Sequence, residues 1–119
     1  MTLRVLTLNL WNDSGPWDAR QERVREWIDR LTPDVISFQE ALRSDDWDQV
    51  STLLDGRGYH IDYVRAAGFW RDRSMAYGNA IASRWPIAER HPLVLPDRGD
   101  GIPSRLSIRA MLAREPPSR

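Results

Sequence analysis

The first forty residues carry the pattern that most restricts the fold. Leu6, Leu8 and Leu10 alternate with Val5, Thr7 and Asn9 across Leu3 to Leu10, as in a strand covered on both faces. Trp11-Asn12-Asp13-Ser14-Gly15-Pro16 is turn chemistry that leads into a helix start. Trp17, Val24, Trp27, Ile28 and Leu31 then recur at helical spacing, with Arg20, Glu22, Arg23, Arg25 and Glu26 filling the face expected in water. Thr32-Pro33 stops that helix, because proline disfavours the helical conformation in the residue before it, and Asp34 to Glu40 reads as a short buried strand. A strand, a helix and a strand in this order form a crossover of nearly invariant right hand, which makes the two strands parallel. Their carboxyl ends, at Asn9 and Glu40, then share one edge of the sheet.

The rest of the chain is mainly strand. Ser44 before Asp45 and Asp46 predicts an N-cap with acidic residues in the first turn, and Trp47, Val50 and Leu54 predict a helix ending at Gly56 or Gly58. Tyr59 to Val64 has strand character. Ala66 to Tyr77 lacks periodicity and predicts an exposed loop. Asn79 to Ser83, Ile87 to Leu95 and Leu106 to Ala113 are further strands, separated by Pro86 and by the turn Asp97-Arg98-Gly99-Asp100-Gly101. The class is therefore α/β (α+β). No repeat or low-complexity segment divides the chain, so residues 1–119 are expected to form one unit.

Charge narrows the partners. The 17 basic and 17 acidic residues cancel, giving a pI near 6.7, so a polyanion would have to be met by a local site rather than by a global field. Every basic residue is arginine, a forked donor suited to phosphate. With no cysteine there is no thiol nucleophile, disulfide framework or cysteine-zinc site. No apolar run is long enough for a membrane span, and the first residues lack the features of a signal peptide, which sets the expectation of a cytoplasmic protein.

Loops at the carboxyl ends of parallel strands commonly carry binding groups, and an amide with a carboxylate there suits a hydrated divalent cation. Magnesium takes one or two protein carboxylates and keeps waters or substrate phosphate in its other positions. The competing reading of Glu40 is a cap or salt bridge at a strand exit.

Three blocks separate these readings. Leu8-Asn9-Leu10-Trp11-Asn12, Pro33-Asp34-Val35-Ile36-Ser37-Phe38-Gln39-Glu40 and Gly78-Asn79-Ala80-Ile81-Ala82-Ser83-Arg84-Trp85-Pro86-Ile87 resemble, in order, three signatures of the endonuclease/exonuclease/phosphatase (deoxyribonuclease-I-like) superfamily. The resemblance implies a four-layer α/β sandwich, of which this chain holds only the N-terminal portion. It also implies a metal-dependent phosphoesterase acting on phosphodiesters or phosphomonoesters in nucleic acid, phospholipid or inositol phosphate. Position by position, it makes Glu40 a metal ligand (Mg2+ or Mn2+) and Asn9 a catalytic residue close to metal and scissile phosphate. Asn79 and Arg109 become candidates for substrate contact. Arg71 and Arg73 beside Trp70 are expected in a solvated loop, and His60 and His91 match no catalytic histidine of the superfamily.

The downstream blocks of that superfamily, a Thr-His pair, an Asp-x-Asn block and an Asp-His pair, do not occur in these residues. The chain by itself is therefore expected to be inactive. Its uncovered sheet surface is expected to favour a complementing chain or self-association. A non-catalytic binding or assembly module is the alternative.

Overall fold

Half-buried Leu6 and Leu8 alternate with exposed Thr7 and Asn9 along β1 (Val5–Asn9). Helix α1 (Trp17–Leu31) starts after Pro16, whose carbonyl accepts the Arg20 N–H at 3.0 Å. It ends where Thr32 turns left-handed, with φ 45°, and its N–H closes on the Ile28 carbonyl at 2.8 Å. Strand β2 (Val35–Arg43) then lies parallel to β1, Val5 opposite Val35 and Asn9 opposite Gln39. The β-α-β reading of the first forty residues holds in this computed structural model, which describes residues 2–70, 75–94 and 106–112; of residues 67–70, 94 and 106–112 only the backbone is described.

Two expectations about local structure are corrected. The second helix, α2 (Gln49–Leu53), is capped by Asp48, whose side chain accepts the Ser51 N–H at 2.9 Å. Ser44 instead takes the Trp47 N–H at 3.1 Å within a turn, because an Arg43–Asp48 bridge and ion pair (3.3 Å) pinch the chain there. The predicted loop from Ala66 to Tyr77 is mostly strand: β3 (His60–Trp70) and β4 (Met75–Ser83) pair antiparallel to Trp70 and Met75. A register shift between Arg65 and Phe69 breaks the alternation that would have revealed them. Arg71 and Arg73 lie outside the described residues.

The sheet order is β1-β2-β4-β3, and a separate antiparallel pair is formed by β5 (Ile87–Val94) and β6 (Leu106–Leu112). The turn Asp97 to Gly101 lies outside the described residues.

Alternation explains the layers. Ile36, Phe38, Ala80 and Ala82 bury one sheet face against Ile28 of α1 and Val50 and Leu53 of α2, with Ile61 and Tyr63 packed beside them. Asp62, between those two, faces the other way and meets Arg90 of β5 at 2.8 Å. Helices thus cover one face and the β5–β6 pair packs on the other, the layer order of the expected sandwich. Some of the polar face of α1 is turned inward: Arg25 donates to the carbonyls of Thr52 (2.7 Å) and Leu53 (3.2 Å), while Trp27 and Leu31 are left exposed. Among the described residues no helix is long and apolar enough to cross a membrane.

Candidate functional site

Glu40 does not end its strand. Phe38 pairs with Ala80 and Ala41 with Gly78, so three steps along β2 match two along β4, and the extra residue forms a bulge. Simple alternation from buried Phe38 would send Glu40 into the core. Glu40 adopts φ 55° instead, which shifts the phase so that Ala41 and Leu42 are both buried and Glu40 stays half-exposed. A left-handed non-glycine residue costs about 1–3 kcal/mol, and such residues cluster at functional positions. Trp11 (φ 52°) and Asn12 (φ 45°), just past Asn9, share this conformation.

The loop after Asn9 is tied down along its length. The Asn9 Oδ1 accepts the Trp11 N–H at 2.8 Å, and the Asn12 N–H donates to the Glu40 carbonyl at 3.0 Å, joining the two candidate ligands through the backbone. Arg20, read from sequence as a solvated residue, donates to the carbonyls of Leu10 (2.7 Å), Asn12 (3.3 Å) and Ser14 and packs between the Trp11 and Trp17 rings. Gln49 was not foreseen. It is fully buried; its Oε1 accepts the Leu42 N–H at 2.9 Å and its Nε2 donates to the Asn12 carbonyl at 2.8 Å. One side chain thus bridges the segment after Asn9 and the segment after Glu40. An isolated glutamine beside Val50 was its sole sequence signal.

Gly78 lies between two bulged strands, paired with Ala41 on one side and Arg65 on the other. A Cβ there would sit 2.1 Å from the Val64 carbonyl oxygen, so glycine is required by close approach. Half-buried Asn79 follows it on β4, level with the bulge that carries Glu40. Tyr77, on the other side of Gly78, pairs with Leu42 of β2. Burial pushes its phenol above the ordinary value of 10, and the Glu40 carboxylate adds to the rise. Arg109 lies on β6 opposite His91, in the second sheet, with its side chain outside the described residues. His60 and His91 are exposed, and His91 is 3.2 Å from Glu89.

The three sequence blocks divide between the two ends of the sheet. Asn9, Glu40 and residues 77–79 gather at one end. At the other, the carboxylate of buried Asp34 accepts the Arg4 N–H at 2.9 Å and lies 3.9 Å from Arg84, while Tyr59 donates to the Pro33 carbonyl at 2.6 Å. Pro33, Asp34 and Arg84 are therefore a structural clasp at the end opposite Asn9 and Glu40.

The donors at the first end are hard oxygens, a carboxylate and an amide, which match magnesium or manganese rather than a soft metal. The Asn9 Oδ1 keeps a second lone pair beside its bond to Trp11. Among the described residues no three His, Cys, Asp or Glu side chains group together.

An endonuclease/exonuclease/phosphatase from Beutenbergia cavernae DSM 12333 has the same fold, with a TM-score of 0.73 and 23% identity over 92% of this chain and 34% of that one. An endonuclease/exonuclease/phosphatase family protein from Leptotrichia buccalis C-1013-b also gives 0.73, at 17% identity over 93% of this chain and 50% of that one. An AP endonuclease from Archaeoglobus fulgidus gives 0.58, at 19% identity over 94% and 38%. The chain thus spans no more than half the length of these solved chains. No curated protein matches it. The sequence profile of the Endonuclease/Exonuclease/phosphatase family, however, matches residues 6–114, and with nearly the whole sequence inside that match the chain belongs to this family.

Proposed function

We propose that this chain supplies the metal- and phosphate-holding half of a phosphoesterase site, for hydrolysis of phosphodiester or phosphomonoester bonds in nucleic acid, phospholipid or inositol phosphate. The observation that carries the reading is the tie between the two candidate ligands: the Asn12 N–H on the Glu40 carbonyl sets the loop after Asn9 against the bulge that presents Glu40. The Glu40 carboxylate and the Asn9 amide oxygen would hold Mg2+ or Mn2+, which when bound neutralises developing charge on the phosphoryl group. With its Oδ1 engaged by Trp11, Asn9 presents its Nδ2 end as the donor suited to a phosphoryl oxygen. Asn79, level with the bulge, and Arg109 are proposed as substrate contacts, Arg109 through the second sheet. The groups that activate water would come from the blocks these residues lack.

Two measurements test this. The 119-residue chain alone, assayed on DNA, a phosphodiester lipid and an inositol phosphate, is expected to show no turnover with Mg2+. A chimera in which it replaces the matching part of the Beutenbergia cavernae protein is expected to hydrolyse one of these substrates with Mg2+ and not with chelator. Glu40→Gln in the chimera should lower that rate at least about 100-fold while leaving the melting temperature in place. Undiminished turnover in the variant would sink the assignment. A non-catalytic assembly module is the second reading, favoured by the place of β1 at the sheet edge among the described residues, where Val5 is 65% exposed; turnover by the chimera would exclude it.

A further inference from the structure

The turn after Asn9 holds its shape against its own torsions. Trp11 (φ 52°) and Asn12 (φ 45°) are both left-handed, a conformation that persists in non-glycine residues only where the surroundings hold it. Gln49 and the Asn12 N–H tie residue 12 to α2 and β2, while the carbonyls two residues before and after it are held from α1: Arg20 donates to Leu10 at 2.7 Å and also to Ser14. The first of these bonds reaches the candidate site. The Leu10 carbonyl and the Trp11 N–H are the two ends of one planar peptide group, and that N–H donates to the Asn9 Oδ1 at 2.8 Å. A guanidinium fixed on the oxygen therefore sets the direction of the N–H, and with it the side chain of Asn9. The guanidinium itself has little room to move, because it lies 5.4 Å from the centre of the Trp11 ring and 5.0 Å from that of Trp17. Its Nε is buried without a partner among the described residues, so the loop carbonyls, not a full set of bonds for the arginine, decide where it sits.

We propose that Arg20 is a positioning residue for Asn9, fixing the direction of the Asn9 amide through the Leu10–Trp11 peptide. The inference rests on the reading of Asn9 as a metal and phosphate contact and deepens it. A charged donor on the Leu10 carbonyl also polarises that peptide and strengthens its N–H as a donor, so the bond to Asn9 is tightened as well as aimed. With the Oδ1 fixed, one lone pair remains for a cation, and the Nδ2 keeps its donors for a phosphoryl oxygen. Loss of a group that orients a metal ligand typically weakens metal affinity about 10–100-fold. Arg20 acts through Asn9 and has no assigned contact with metal or substrate.

The test is Mn2+ binding by the 119-residue chain, followed by calorimetry and by the loss of the free-ion spin-resonance signal, for wild type, Asn9→Ala, Arg20→Met, the double variant and Arg25→Met. Arg25 is the control for stability, since it too turns inward from α1 and donates to carbonyls, but to those of Thr52 and Leu53 in α2 rather than to the loop after Asn9. The expected result is roughly ten-fold weaker binding in Asn9→Ala and in Arg20→Met, no further loss when the two are combined, and wild-type binding in Arg25→Met despite a similar fall in melting temperature. Full affinity in Arg20→Met, with Asn9→Ala defective, overturns the role of Arg20 and leaves the Asn9 assignment standing; so do losses that multiply in the double variant, or an equal loss in Arg25→Met. Wild-type affinity in Asn9→Ala, or no binding by wild type, overturns the reading of Asn9 as a ligand and this inference with it. A readout on wild type covers the case in which an Arg20 variant misfolds. The Nη protons of Arg20 should give separate resonances in the Mg2+-loaded chain, as in a guanidinium held at both ends, whereas those of exposed Arg23 should average by rotation; averaging at Arg20 contradicts the proposal.

Discussion

At the scale of single residues, the candidate site rests on a buried amide as well as on Asn9 and Glu40. Gln49 satisfies the Leu42 N–H and the Asn12 carbonyl at once, and both would lose their partner if it were truncated. A buried polar group left without a partner costs about 1–3 kcal/mol. Gln49→Leu, which fills the volume and removes both bonds, should therefore lower stability by about 2–4 kcal/mol, read as a shift of the urea midpoint at unchanged slope. A shift below about 1 kcal/mol would mean that the two segments hold each other without it. Asn9 and Glu40, the residues proposed for the site, were singled out in the sequence by a family signature and by expected strand ends, although Glu40 lies within β2 rather than at its end. Gln49 and Arg20 were not, since each works through the fold: Arg20 reads as one more arginine on a wet helix face until its three carbonyl partners are brought to it.

At the scale of elements, periodicity succeeded where strands are regular and failed where they bulge. The parallel β1–β2 pair and α1 follow from alternation and helical spacing in the first forty residues. The outer part of the β3–β4 hairpin, within Ala66 to Tyr77, did not, because shifts at Phe38/Ala41 and Arg65/Phe69 both interrupt the two-residue period, although the inner parts of both strands were read correctly. Gly78 is where the two irregularities meet, and it predicts how tightly they are coupled. Gly78→Ala places a methyl group against a backbone oxygen, an atom that cannot rotate away. The expected cost is about 3 kcal/mol, at the upper end for overpacking, with loss of Mn2+ binding as β4 shifts away from the bulge at Glu40. Thermal melts and Mn2+ titration of the variant check both parts. A stable variant with intact binding would show that β3 yields easily at Val64, and that the bulge at Glu40 is held from the β1 side alone.

At the scale of the whole molecule, the two faces of the main sheet are treated unequally. Phe38, Ile36 and Ala82 are sealed beneath the helices, and Asp62 is met by Arg90 of the second sheet. At the opposite edge of the sheet from β3, β1 has β2 as its one described neighbour, with Val5 65% and Leu3 54% exposed. Thr7, Ser37 and Gln39 form a hydrogen-bonded polar group on the same face as Val5. A strand edge with apolar residues beside it and no lysine or proline within it is a template for pairing with another chain. The 119-residue chain is therefore expected to self-associate with rising concentration in sedimentation velocity. Val5→Lys, which puts a charge at the middle of that exposed stretch without touching Asn9, Glu40 or the helix-side core, should shift the population toward monomer and leave Mn2+ affinity unchanged. If the variant associated as strongly as wild type, the contact would have to lie elsewhere, and exposed Trp27 and Leu31 on the outer side of α1 would be the next surface to charge. The separation of the two effects is the point of the test: association belongs to the outer edge of β1, whereas the candidate site belongs to its carboxyl end, and a single strand serves both because each face and each end of it meets a different environment.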